Sequence, residues 1–252
     1  MKRFKIEKNF IFSLLAVVFL WLFWLIAYFI VRNDYLLPSV GDTLAETWRL
    51  LGTGEFWRAF GGTLLRTLAA FALSLVLGTG LSIIARLFTG VRAFFTPVIS
   101  VLRSLPTVAI ILILLLWTSP AVAPVIVSML VLLPAVYAAV LAALDEVHGE
   151  YGELIRAFRV SNRRAVIKLY LPLAAPPVLG QAGGIFSLGL KITVSGEVLA
   201  STYRSLGGLM QEAKMYVQMP ALLALTLVTV LTGFLLEGLC RLAYRLLVRW
   251  RP

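Results

Sequence analysis

The sequence lacks the residues that most often build catalytic and metal centres. It contains one cysteine, Cys240, and one histidine, His148. A single cysteine excludes a disulfide within the chain, and a lone histidine leaves no cluster of good ligands for zinc or haem iron. His148 also lies among acidic residues, without the serine and aspartate partners of a hydrolase triad. We therefore expect no catalytic residues, no metal site and no intramembrane enzyme.

Charge is scarce as well. Charged residues make up 14% of the chain and hydrophobic residues 60%, and no charge occurs from Asn9 to Val31 or from Ser104 to Leu144. Such runs are typical of membrane-spanning helices, and they lack the alternation of barrel strands. The sequence predicts an all-α integral membrane protein with about six transmembrane helices. The expected spans are residues 10–31, 66–86, 97–117, 121–144, 174–199 and 217–240.

Acidic residues are few, with 12 Asp and Glu against 23 Lys and Arg. If the N-terminus is cytoplasmic, fifteen Lys and Arg fall in cytoplasmic segments and five in external ones. This positive-inside bias predicts that both termini are cytoplasmic. A cytoplasmic face beside the anionic lipid bilayer accounts for the net charge, so we expect no nucleic-acid partner.

A phosphate-binding loop is also missing. The nearest approach is GLMQEAKM from Gly208, where Ala213 replaces the second glycine and Met215 the Ser or Thr. Without that turn and hydroxyl, the cradle for phosphate and Mg²⁺ is incomplete. We expect that this chain does not hydrolyse ATP by itself.

The charge that is present concentrates in YGELIRAFRVSNRRAVIKLYLP, residues 151–172. This stretch falls between spans four and five, and its spacing predicts a helix from about Glu150 to Val160. Ser161 is a candidate N-cap for a second short helix that ends near Pro172. Apolar residues interleaved with arginines favour a partner surface over an ordinary solvated loop, and both interpretations stay open.

This stretch resembles the cytoplasmic loop signature of permease subunits of binding-protein-dependent ABC importers. That signature has Glu-Ala-Ala, then a glycine, and after a fixed gap an aliphatic residue and Leu-Pro. Aligned on Leu171 and Pro172, the glutamate falls at Glu153, the aliphatic residue at Leu169 and the glycine at Arg159. The departures are Leu154 and Ile155 at the alanines and Arg159 at the glycine.

Further segments are similar, in this order, to the nitrate, sulfonate and taurine branch of those permeases. They are LLPSVGDTLAETW, TLLRTLAAFALSLVLGTGLSI, TPVISVLRSLPTVAIILILLLW, and SLGLKITVSGEVLAS with LGGLMQEA. The similarity extends over nearly the whole chain from Leu37 onward. It implies a type I ABC importer permease-like fold, with residues 1–252 as a single transmembrane domain.

The resemblance also implies partners and a location. A second copy of the chain would complete the pathway as a homodimer, although a heteromeric pair stays open. Two cytoplasmic ABC ATPase subunits would bind ATP and Mg²⁺, and an extracytoplasmic solute-binding protein would deliver the substrate. The location would be the bacterial cytoplasmic (inner) membrane. The expected substrate is a small polar or anionic solute such as a sulfonate, nitrate, taurine or a vitamin or pyrimidine precursor.

In such an importer the loop of residues 145–172 is the coupling helix region that contacts the ATPase. Its candidate residues are Glu153, Arg156, Phe158, Arg159, Ser161 and Pro172.

Three charges inside predicted spans are candidate pathway or gate residues. Arg103 either snorkels to the cytoplasmic interface or faces the pathway. Lys191, deep in span five among small residues, is either a pathway residue for an anionic or polar substrate or part of an ion pair or interface anchor. Glu197 is a candidate gate residue by the resemblance. It lies about 120° around the helix from Lys191, so the two cannot pair directly without a kink or another subunit.

The external segment, about residues 32–58, contains an amphipathic stretch with Leu44, Trp48 and Leu51 on one side. It is either an interfacial helix or a landing surface for the binding protein. The rival function is an ion-coupled secondary transporter or channel. Such folds often show internal repeats, and none is visible between residues 1–126 and 127–252.

Overall fold

In the computed structural model of the protein, residues 2–33 and 36–247 are described. All regular elements in these residues are helical, which confirms the all-α prediction. The helices are α1 Lys2–Val31, α2 Val40–Leu51, α3 Gly54–Leu87, α4 Thr89–Ser104, α5 Thr107–Trp117, α6 Ala123–Ala157, α7 Asn162–Ala165, α8 Leu171–Ala200, α9 Leu206–Met215 and α10 Met219–Leu247. A π-helical turn, Val166–Tyr170, joins α7 to α8.

Four helices in the described part of the chain are long and apolar enough to cross a membrane. They are α3, α6, the continuous helix Asn162–Ala200 and α10, and they confirm spans two, four, five and six. The α4–α5 pair makes a fifth if it is taken as one bent span. The first predicted span, 10–31, falls within α1, where the apolar stretch described is the shorter Val18–Val31. The described residues therefore give four or five spans where the sequence predicts about six.

The third predicted span, 97–117, is not one straight helix. α4 ends at Ser104, α5 begins at Thr107, and the two axes meet at 95°. Pro106 explains the break, because a proline disfavours helical geometry in the residue before it and has no N–H to donate. Leu105 is extended, with φ −68° and ψ 129°. Both helices of the bent pair contact α6.

Small residues line the most extensive helix contact, which is between α3 and α6. Ala70, Ser74, Gly78 and Ser82 are buried and recur every fourth position on one face of α3. The Ser74 hydroxyl donates to the carbonyl of Met129 at 3.0 Å, and the Ser82 hydroxyl donates to that of Tyr137 at 3.0 Å. Small residues with hydroxyls allow this approach and add interhelical hydrogen bonds. The same contacts show that α3 and α6 run in the same direction.

The other helices define two ends of the bundle. α8 runs opposite to α6, because Thr193 bonds Ser128 while Gly189 packs on Leu132. The connection of residues 145–172 therefore lies at one end, called here the hairpin end. The other end, called the α9 end, holds α9 and the beginnings of α3 and α6.

The amphipathic external segment forms α2. Ser39 caps this helix by accepting a hydrogen bond from the amide of Asp42, as the sequence pattern of an N-cap requires. Thr43 is buried, and α2 packs against α10, whereas Leu44 and Trp48 remain exposed. The predicted apolar face is thus split. Leu51 contacts the core, and Trp48 faces outward.

Candidate functional site

The hairpin of residues 145–172 grows directly out of the bundle. α6 is 35 residues long, or about 52 Å at ~1.5 Å per residue. A bilayer core is roughly 30 Å thick, so the last turns of α6 project beyond it. The separate helix predicted from about Glu150 to Val160 is therefore the end of α6, because no breaker separates it from span four.

A tight turn ends α6 at Arg159. The amide of Val160 donates to the carbonyl of Ile155, and that of Arg159 to the carbonyl of Arg156. These two bonds form a Schellman motif, whose central residue is left-handed and usually glycine. Arg159 has φ 48°. The position where the resemblance expects glycine thus has the backbone conformation that glycine favours.

The second arm of the hairpin differs from the prediction at its far end. α7 begins after Ser161 as expected, although the Ser161 side chain makes no capping hydrogen bond. It does not end near Pro172, however, but continues through the π turn into α8. The π-helical turn, Val166–Tyr170, lies just before Pro172. Proline has no N–H to donate to a helical hydrogen bond, and the wider turn allows the helix to continue past it.

The hairpin has a packed inner side and an exposed outer side. Gly152, Ala165 and Tyr170 are buried, and the Tyr170 hydroxyl is hydrogen-bonded to the Nδ1 of His148 across the two arms. All six candidate coupling residues are exposed, and Phe158 is 77% exposed. The hairpin therefore presents a large apolar side chain among charges on a structurally fixed element.

At the α9 end, Glu197 organises a buried polar network. Its side chain is 0% exposed. One carboxylate oxygen accepts from the Thr63 hydroxyl at 2.8 Å, and the other pairs with Arg66 at 2.7 Å. Arg66 is 17% exposed and also donates to the carbonyl of Tyr203. The partner of Glu197 is therefore Arg66 of α3, on another helix of the same chain.

The same network caps the beginning of α9. The amide of Leu206 donates to the Thr63 hydroxyl at 2.9 Å, and the amide of Gly207 to the Glu197 carboxylate at 3.2 Å. The amide of Gly208 donates to the hydroxyl of Ser205. Three orphan amides of a helix N-terminus are thus satisfied, and a carboxylate lies where the helix dipole favours negative charge.

Lys191 lies on an exposed stripe of α8. Gln181, Gly184, Leu188, Lys191 and Ser195 recur at helical spacing and are all exposed. No hydrogen bond or ion pair of Lys191 occurs within residues 2–33 and 36–247. A cation on a mid-helix face that mixes polar and small residues needs another subunit, water or a ligand beside it.

Arg103 contacts the backbone of α6. Its guanidinium donates to the carbonyl of Pro134 at 3.2 Å. Pro134 is near the middle of the fourth predicted span, 121–144, and about eleven residues, or ~16 Å, from Asp145 at the hairpin end. The side chain therefore lies level with the middle of the span rather than at its edge.

Comparison with known proteins gives the family. Residues 76–250 match the model of the family described as binding-protein-dependent transport system inner membrane component. The chain belongs to this permease family. No curated protein gives a significant match to the permease.

Two solved structures share the fold of the permease. One is an amino acid ABC transporter with histidines, 16% identical, with a TM-score of 0.65, covering 76% of this chain and 93% of that chain. The other is an inward-facing MetNI methionine ABC transporter, 18% identical, with a TM-score of 0.58, covering 84% of this chain and 95% of that chain. These similarities support the type I importer permease fold.

Sequence reasoning missed Thr63 and Arg66. Arg66 is the first residue of the second predicted span, where a charged residue is easily interpreted as marking the end of the span. A usable indication was present, because Thr63 and Arg66 are one turn apart on the same helix face and a buried glutamate needs a cation.

We expect Arg159→Gly to stabilise the hairpin of the permease and Arg159→Val to destabilise it. Glycine adopts φ near +50° without strain, and a β-branched residue is the worst choice there. The expected change is about 1 kcal/mol in each direction, relative to arginine. Hydrogen exchange of residues 150–165 would measure it, and equal protection in both variants would contradict it.

Proposed function

We propose that the permease is the membrane-spanning subunit of an ATP-driven importer and that its hairpin docks onto cytoplasmic ATPase subunits. The observation that carries this proposal is the outer surface of the hairpin. It exposes Leu154, Phe158 and Ile167 beside Glu153 and several arginines, beyond the apolar part of the bundle. Apolar anchors surrounded by charge are typical of protein interfaces.

The helix geometry supports a mechanical role for this surface. Asn162–Ala200 is one continuous helix, so the second arm of the hairpin and Glu197 lie on the same rod. Glu197 holds α3 and α9 at the opposite end. A rigid displacement of the hairpin by the ATPases would therefore reach the α9 end through one element, which suits alternating access.

The family supports a proposal for the remaining partners. We propose that two copies of the permease form the pathway and that an extracytoplasmic solute-binding protein docks at the α9 end. The permease would lie in the bacterial inner membrane with both termini in the cytoplasm. The bias of Lys and Arg towards the hairpin side supports this orientation. ATP and Mg²⁺ would bind to the partner ATPase, not to this chain.

The docking proposal predicts that Phe158→Ser and Glu153→Arg uncouple the ATPases. Phe158 supplies the exposed apolar anchor, and truncation of an interface anchor costs about 2 kcal/mol or more, which is at least tenfold in affinity. We expect co-purified ATPase to fall at least tenfold when the tagged permease is isolated from its host in mild detergent. Substrate-stimulated ATP hydrolysis in proteoliposomes should fall by a similar factor.

Arg245→Gln is the matched control, because Arg245 is an exposed cation near the end of α10. It should retain the full complement of ATPase. Recovery of wild type and both hairpin variants with equal amounts of ATPase would refute docking through the hairpin.

Lys191 is proposed to face the pathway close to the homodimer axis and to attract an anionic or polar solute. Its exposed stripe and lack of a partner in the described residues support this role. Lys191→Gln should then raise the KM for transport of an anionic solute about tenfold, at unchanged thermal stability. Unchanged KM in the variant would remove Lys191 from the pathway.

A further inference from the structure

One polar contact joins the two arms of the hairpin near its base. His148 lies on α6, beyond the fourth predicted span, 121–144, and its Nδ1 is hydrogen-bonded to the Tyr170 hydroxyl of the other arm. His148 and Tyr170 are equally far in sequence from Arg159 at the turn, and His148 lies roughly 16 Å back along α6. In the part of the chain that the structure describes, no other hydrogen bond or ion pair links α6 to residues 161–172.

The rest of the contact between the arms is apolar. Leu144 and Val147 of α6 are buried in one cluster with Ala165, Tyr170 and Ala174 of the second arm. Apolar packing is non-directional, so such contacts tolerate small sliding movements of one helix along another. A hydrogen bond fixes both the distance and the direction of its two groups. The contact between the imidazole and the hydroxyl therefore defines the register in which the two arms are held.

Two local features position the side chains for this contact. Gly152 follows His148 by one helical turn, and a Cβ there would lie 3.0, 3.1 and 3.2 Å from three atoms of the imidazole ring. Glycine therefore leaves the space that the ring occupies. Tyr170 is the last residue of the π-helical turn, a form that is rare and often found at functional sites. Both arms thus depart from an ordinary helix at the point where they are joined.

The surroundings of the imidazole favour its neutral form. Burial, and then the positive charges of Arg86 on α3 and Arg156 on α6, lower the pKa of His148 below its ordinary value of 6.5. Asp145 acts in the opposite direction, but it is already paired with two arginines. A neutral ring protonated on Nε2 accepts the proton of the Tyr170 hydroxyl at Nδ1. Protonation would add a third positive charge beside Arg86 and Arg156.

We propose that His148 and Tyr170 are positioning residues that hold the two arms of the hairpin in one register, so that a displacement of its tip moves α8 together with α6. This contact is called here the register lock. The inference rests on the proposed docking of the hairpin and adds the condition under which a docked hairpin transmits movement. Without the register lock, Phe158 would still be exposed to an ATPase, but the arms would slide past each other. The register lock is therefore required for coupling and not for recruitment.

The register lock itself is tested on the purified, full-length permease in mild detergent, without an ATPase. Hydrogen exchange of residues 145–157 and 161–173 is measured as protection relative to the intrinsic exchange rate. Tyr170→Phe, which removes only the hydroxyl, should lower this protection about fivefold, the effect expected for one hydrogen bond. Equal protection in the variant and the wild type would overturn the register lock.

Two glycine variants separate the register lock from general helix stability. Gly152→Ala should displace the imidazole and lower the protection of both arms about as much as Tyr170→Phe does, although alanine favours a helix. Gly149→Ala is the matched control, since a Cβ at Gly149 meets no atom within 4 Å. The control should keep or raise the protection. Changes of the same sign and size in the two alanine variants would contradict the register lock.

The pH dependence is a readout that packing alone would not change. The chain has one histidine, and histidine is the side chain whose ordinary pKa lies closest to neutrality. Because the pKa of His148 is lowered in the joined hairpin, the register lock is complete above about pH 6.5 and weakens as the pH falls below that value. Protection in the wild type should fall several-fold between about pH 7.5 and 5.5.

His148→Asn gives the comparison for this pH dependence. Asparagine retains an acceptor near the position of Nδ1 but does not titrate. This variant should keep most of the protection at about pH 7.5 and show no several-fold fall at about pH 5.5. An equal acid-dependent fall in the variant and the wild type would remove His148 from the register lock.

Coupling is measured on the complex with the ATPase in proteoliposomes, using ATP and orthovanadate to trap the closed ATPases. In the wild type, trapping should change the hydrogen exchange of α9, at the far end of the bundle. In Tyr170→Phe this change should shrink several-fold, while the amount of co-purified ATPase stays that of the wild type. An undiminished response of α9 in the variant would refute the coupling role and leave the importer function standing.

The two proposals fail in different ways. A wild-type permease that recruits no ATPase loses the docking function and the coupling role with it. Hydrogen exchange of the isolated permease still decides whether the register lock exists, because that measurement needs no partner.

Discussion

Replacing Glu197 with alanine is expected to destabilise the permease by about 3–5 kcal/mol, because it leaves a largely buried arginine without its counter-ion. The carboxylate is fully buried, pairs with Arg66 and accepts hydrogen bonds from Thr63 and Gly207. Its removal would leave the amide of Gly207 unpaired and free the beginning of α9. The measurement is thermal unfolding of the purified protein, followed by the helical circular dichroism signal.

A conservative variant separates charge from shape. Glu197→Gln retains the volume and two acceptor lone pairs, so it should cost about 2 kcal/mol, less than alanine. In the double variant Glu197→Gln with Arg66→Gln, no unpaired charge remains, and the loss should be smaller than the sum of the two single losses. Equal melting temperatures for the Glu197→Ala variant and the wild type would show that the network does not hold α9.

The Gly62→Ala variant is expected to lose about 2–3 kcal/mol, the upper part of the range for overpacking. A Cβ at Gly62 would overlap the backbone carbonyl oxygen of Arg204, and its next neighbour is the Arg66 guanidinium at 3.3 Å. Backbone at Arg204 cannot easily withdraw, since this residue is already left-handed with φ 49°. Thermal unfolding, or the yield of folded protein after detergent extraction, would record the loss.

The neighbouring glycine gives the control. A Cβ at Gly61 meets no atom within 4 Å, and the residue lies inside α3. Gly61→Ala should therefore stabilise the protein by about 0.5–1 kcal/mol through helix propensity. Equal melting temperatures for the two alanine variants would contradict the close contact between α3 and the loop after α8.

The membrane spans could be predicted because a bilayer requires runs of apolar residues, and such runs are visible in each segment of the sequence by itself. Runs of about twenty apolar residues locate α3, α6, α8 and α10 without any knowledge of their partners. The bend in span three was harder to predict from the sequence. Pro106 indicates a helix start or kink, but hydropathy continues across it unchanged.

The Glu197 network depends on long-range packing, and that is where sequence reasoning stops. Thr63 and Arg66 are more than 130 positions from Glu197 in the chain, as the separations of 134 and 131 show. Nothing in a single sequence pairs residues at such distances. The hairpin is the intermediate case: its helices and the exceptional residue Arg159 were identified, whereas its continuity with α6 and α8 was not.

The bend between α4 and α5 has a consequence for water. At a helix N-terminus the first amides lack intrahelical acceptors, and at a C-terminus the last carbonyls lack donors. The C-terminus of α4 and the N-terminus of α5 meet at Leu105 and Pro106. Arg103 lies just before this break and contacts Pro134, near the middle of the fourth predicted span. Peptide groups at such a break need hydrogen-bond partners from water, side chains or another subunit, so the break would be a polar point inside the hydrocarbon layer. Sealing the membrane against ion leakage then depends on whatever covers that spot between transport cycles.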